Sequence, residues 1–149
     1  MGKRDNPVKS SKRNADSKPQ KPTSKEGFYS ISFRYFKNTD SPPAQSINTW
    51  KNEDKILDML LALQYISSNN ASDVQSTGKL SLYTDEYPPK DKNEFPLPDN
   101  LPSGINRWGT IQNIGGQKAR IAGFLKDNIF YLVYLDKEHK FYKSKLRNT

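Results

Sequence analysis

The sequence predicts an α+β domain: a mainly antiparallel sheet that ends in a C-terminal three-stranded meander and is covered on one face by one or two helices. Three observations predict it. Strand-like runs at 108–114, 118–125 and 129–135 follow one another, separated by Gly115-Gly116 and by Asp127-Asn128. Those pairs supply or tolerate the positive φ that tight turns need. Upstream, residues 49–67 carry leucines and isoleucines at helical spacing. An alternating aromatic run, 28–36, precedes both.

The 149 residues suit one domain with appendages. Residues 1–26 hold eight Lys or Arg against three acids and no aromatic side chain. Such a stretch buries too little apolar surface to offset its ordering entropy, so it reads as a disordered basic arm preceding a domain at 27–149. The run 28–36 places Tyr29, Ile31, Phe33 and Tyr35 on one face of a strand, and Pro42-Pro43 lies beyond its end. A helix is expected over 49–67, with Ile56, Leu60 and Leu63 on its core stripe and Glu53 and Asp54 near its positive end. Residues 74–82 suit a second short helix or a strand. The proline-containing stretch 87–98 suits an extended surface connection.

In the meander, period-two alternation puts Ala119, Ile121, Gly123 and Leu125 on the helix-facing side. Lys118, Arg120, Ala122 and Phe124 then share an open face, two cations and an aromatic, which suits a polyanion. The run 129–135 is apolar on both faces and reads as a central strand.

Composition excludes several chemistries. Without cysteine there is no disulfide, thiol nucleophile or cysteine-ligated zinc, in keeping with a reducing cytoplasm. No apolar run is long enough to span a bilayer, so no membrane partner is expected. The lone histidine argues against a multi-histidine metal site, and neither a phosphate-binding loop nor a nucleophile elbow occurs. No cofactor is expected. The net charge of +8 points to an acidic partner, most often nucleic acid. His139 lies in a basic, aromatic C-terminal tip, 136–142. Histidine exchanges protons near neutrality, lysines offset charge growing on phosphate, and aromatics stack unpaired bases. Together these could cleave RNA, with the ribose 2′-hydroxyl as nucleophile. A histidine at a strand end is nonetheless more often an ordinary surface residue.

A strand, a helical segment and a terminal meander carrying Lys118-Ala119-Arg120-Ile121 and Asp136-Lys137-Glu138-His139-Lys140-Phe141-Tyr142 resemble the RelE/ParE toxin superfamily. The resemblance implies a toxin of a toxin–antitoxin pair: a cytoplasmic, ribosome-dependent endoribonuclease acting on mRNA without a metal, neutralised by a cognate antitoxin. It implies that Arg120 holds the scissile phosphate, His139 acts as acid or base, and Tyr142 stacks or orients the nucleotide. Lys118, Lys137, Lys140 and Lys143 would bind the nucleic-acid backbone. His139 and Tyr142 are three residues apart, opposite faces on an ideal strand, so only a bulge or turn brings both to one site. Two other functions stay open: a non-catalytic RNA- or DNA-binding module of a mobile element, and a ParE-like gyrase inhibitor.

Overall fold

The structure is a computed structural model that describes residues 27–143. The arm at 1–26 lies outside the described residues. Five strands form one sheet in the order β1-β5-β4-β3-β2. They are β1 (Ser30–Ser32), β2 (Leu80–Leu82), β3 (Arg107–Ile111), β4 (Arg120–Lys126) and β5 (Ile129–Asp136). β1 runs parallel to β5 and the other pairs are antiparallel. The 129–135 run is central, flanked on both sides as its apolar character predicted.

Three helices cover one face: α1 (Ile47–Asn52), α2 (Ile56–Ser68) and α3 (Ala71–Ser76). The single helix expected over 49–67 is therefore two. The Ser46 hydroxyl caps α1 by accepting from the Thr49 N–H, and Asp40 accepts from the Ser46 N–H at 2.8 Å. The chain breaks at Asp54, whose φ of 61° is left-handed. α2 then buries Met59, Ala62, Leu63 and Ile66 on the sheet, while Leu57, Leu60 and Leu61 stay exposed. Segment 74–82 supplies both of its alternatives, the end of α3 and then β2. β1 keeps only three residues of the 28–36 run, because a turn interrupts it, with Phe36 N–H donating to the Phe33 carbonyl before Lys37 N–H rejoins β5 at the Val133 carbonyl.

The second face of the sheet is not open. Phe95, Trp108, Ala122, Phe124, Val133, Tyr134 and Phe141 form a buried aromatic cluster on it. The 87–98 stretch closes over that cluster: Tyr134 Oη donates to the Pro96 carbonyl at 2.8 Å, and Tyr87 Oη to the Phe95 and Pro96 carbonyls. The expected polyanion face at Ala122 and Phe124 is thus a second core. Of the two tight hairpins expected in the meander, one forms. Asp127 and Asn128, at φ 53° and 61°, make a two-residue β4–β5 hairpin. Gly115-Gly116 sit at φ 69° and 146° within a longer 112–119 loop.

One irregularity decides how the sheet faces are populated. The β4–β5 register shifts between Ala122 and Gly123, so Ala122 pairs with Tyr134 while Gly123 pairs with Leu132. Val133 is the extra residue of a bulge. Phe130, Leu132 and Leu135 therefore point to the helices, whereas Val133 and Tyr134 both join the aromatic cluster. Gly123 makes room: a Cβ there would run into the Tyr131 carbonyl oxygen.

Candidate functional site

Beyond the bulge, Asp136 comes to lie opposite Arg120 as its cross-strand partner. Unbroken alternation along β5 would have turned it to the helix side. Gln112 completes a polar row, its Oε1 accepting from Arg120 Nη1 at 2.6 Å. Gln112 Nε2 donates to the Ser81 hydroxyl, and Tyr83 Oη bonds Thr110 Oγ1 at 3.1 Å. Arg120 Nη2 donates to the Gln117 carbonyl at 3.3 Å, and its Nε is buried with no partner among the described residues. The guanidinium is half-buried. Desolvation lowers its pKa, while Tyr83 and Asp136 pull the other way.

Asp136 is fully buried, yet its carboxylate is well satisfied. Oδ1 accepts from the Lys140 N–H at 2.8 Å and Oδ2 from the Phe141 N–H at 2.9 Å. Burial pushes its carboxyl up to about 6, against those backbone donors and the Arg120 charge, which favour the anion. The carboxylate thereby winds the tip around itself. His139 and Tyr142 both adopt left-handed backbone, at φ 58° and 55°. The tip is therefore a turn and not a straight continuation of β5. Phe141 between them is buried in the aromatic cluster and anchors the turn.

His139 is partly buried. Its imidazole is held below the ordinary histidine pKa by desolvation and by the Arg120 charge, with a hydrogen bond to the Tyr142 backbone opposing. Tyr142 stacks on Tyr83, ring centroids 3.9 Å apart and planes 15° apart, and Lys92 Nζ lies 5.6 Å from its centroid. Arg120 and His139 are thus electrostatic neighbours, and Tyr83, which also acts on Arg120, links Tyr142 to them.

The four lysines nominated for backbone binding are each placed against a carboxylate. Lys118 pairs with Glu138 at 3.5 Å and Lys137 with Glu53 at 2.8 Å. Lys140 and Lys143 share Glu94 at 3.6 and 3.0 Å. They do not make one continuous positive surface. Among residues 27–143 there are fourteen Lys or Arg against thirteen Asp or Glu, a net +1, so most of the +8 belongs to the two ends of the chain.

Three site residues escaped sequence reading. Tyr83 follows β2 in the least patterned stretch, Gln112 lies just past β3, and Asp136 became internal only through the bulge. An acid closing an apolar strand was the one available signal. Comparison of the chain with protein-family models, curated proteins and solved structures finds no match.

Proposed function

We propose that the chain is a RelE-like toxin that cleaves mRNA on the ribosome at the Gln112–Arg120–Asp136 row, with no metal in the step. One observation carries the reading: a half-buried guanidinium and an imidazole whose pKa it helps to lower are electrostatic neighbours beside a stacked tyrosine pair. The strand–helix–meander order is also the one the resemblance implies. His139 takes the proton of a ribose 2′-hydroxyl. The 2′-oxygen bonds to the adjacent phosphorus as the P–O5′ bond breaks. The 5′-oxygen leaves with a proton from solvent, giving a 2′,3′-cyclic phosphate and a 5′-hydroxyl. Arg120 grips the phosphate and offsets its growing charge. Tyr142, braced by Tyr83, orients the nucleotide.

Single-turnover cleavage of ribosome-bound mRNA tests this. His139→Ala should slow cutting by about 10²–10⁴-fold, the range for a lost general base, and leave binding intact. Arg120→Ala should lose both. The wild-type rate should rise with pH through a pKa below 6.5 and then level, because the base is the neutral imidazole. A His139→Ala rate equal to wild type would remove the base role. RNA bound but never cut would favour the non-catalytic module, and gyrase-dependent DNA damage with intact mRNA the ParE-like alternative.

A further inference from the structure

At the end of the sheet beside the Arg120 row lies an open cavity of about 400 Å3 lined by Lys55, Lys118, Lys137 and Glu138 around Gly115, Gly116 and Gln117. We infer that this cavity is a second phosphate site, binding the RNA phosphate next to the one that Arg120 holds; the identity of the polyanion rests on the RNA reading above. Three separate segments supply the lysines: the α1–α2 corner, the 112–119 loop and the C-terminal tip. Lys55 has no carboxylate partner among the described residues. The Lys118–Glu138 pair is long and solvent-exposed, the kind that contributes least and yields to a competing anion. Lys137 is engaged by Glu53 at 2.8 Å, which fixes its position and offsets part of its charge. Nothing stands within 4 Å of where a Gly116 side chain would begin, so a phosphate can reach the backbone there, whereas the Asp58 carboxylate stands against neighbouring Gly115. The link to the proposed reaction is Gln117. It lines the cavity while its carbonyl accepts from Arg120 Nη2, so a strand gripped at Arg120 continues directly into the lysines. Glu138, on the cavity wall, is the chain neighbour of His139.

The test compares Lys55→Glu with Lys126→Glu, an identical charge change at the opposite end of β4, in the full chain. Binding of an uncleavable 2′-O-methyl RNA oligonucleotide is followed against salt. Lys55→Glu should weaken binding about tenfold and Lys126→Glu less than twofold. Lys55→Ala should reduce the salt slope by about 0.7, the contribution of one single-strand phosphate contact. Titration with inorganic pyrophosphate, followed at the Gly115, Gly116 and Gln117 amides by NMR, reads the cavity without RNA, and those amides should shift. Equal weakening by the two glutamate variants, with silent amides, would overturn the cavity and leave the RNA reading standing. Shifted amides in a chain that binds no RNA would keep the anion site and overturn the RNA reading instead.

Discussion

Arg120 and Asp136 face each other across β4 and β5, and burial acts on both against their charged forms. The consequence for stability is directional. Asp136 binds its proton more tightly folded than unfolded, so its contribution favours the folded state at low pH. That contribution is lost as pH rises from the ordinary carboxyl value near 3.8 to about 6. His139, with a lowered pKa, acts in the opposite sense nearer neutrality. Asp136→Asn removes only the first term. The melting-temperature gap between wild type and Asp136→Asn should therefore narrow from pH 4 to pH 6 and stay constant above. A gap independent of pH would mean that the carboxyl titrates alike in both states. The same substitution replaces an acceptor oxygen with an N–H2 that opposes the Lys140 or Phe141 N–H. At pH 7 it should loosen the tip, seen as faster amide exchange at 139–142. Tyr142→Ala removes the ring stacked on Tyr83, and its expected cost is about 0.5–1.5 kcal/mol beyond lost area. A double-mutant cycle with Tyr83→Ala measures that coupling.

At the scale of elements, the β4–β5 pair carries the architecture of the site. Its bulge keeps Leu132 and Leu135 under the helices while sending Val133, Tyr134 and Asp136 to the other side. Gly123 permits this because the Tyr131 carbonyl occupies the space of a side chain. Gly123→Ala should cost about 1–3 kcal/mol, as overpacking in a closed core does, measured by denaturant unfolding. It should also displace Asp136 from Arg120 and raise the exchange rate of the tip amides. An alanine variant of wild-type stability would mean that β4 and β5 can separate at little cost. The helical layer is assembled as locally. Ser46 and Asn70 cap α1 and α3, and Asp54 separates α1 from α2. Gln45 ties layer to tip, its Oε1 accepting from both Trp50 Nε1 at 3.1 Å and the Lys137 N–H at 2.7 Å.

Across the whole molecule, charge and fold are segregated. The described residues are close to neutral, and the excess lies in 1–26 and 144–149. On the proposed RNA reading, long-range attraction would therefore belong mainly to the ends, and local grip to Arg120 and the lysine cavity. Replacing the eight Lys and Arg of 1–26 with Gln should flatten the salt dependence of RNA binding and leave single-turnover cleavage at saturation unchanged. A fall in the saturated rate would place the arm in the chemistry. Among the described residues no helix is long and apolar enough to cross a membrane. The α+β class, the three runs of the meander, the Asp127-Asn128 hairpin and the central place of 129–135 were legible in the order of residues alone. Each of those follows from periodicity or turn chemistry within a few residues of chain. The faces of β4 were legible too, with Ile121 toward the helices and Arg120 away from them. What covers the second face emerges only in three dimensions, because residues that pack on it, such as Phe95 and Pro96, lie in a proline-containing stretch with no period to read. The ion pairs that engage the nominated lysines were equally hidden, since Glu53 and Glu94 are distant in sequence. Asp136 was hidden for a further reason. A strand apolar on both faces reads the same whether or not it bulges, so the one-residue shift that sets Asp136 against Arg120 exists only in the pairing of β5 with β4.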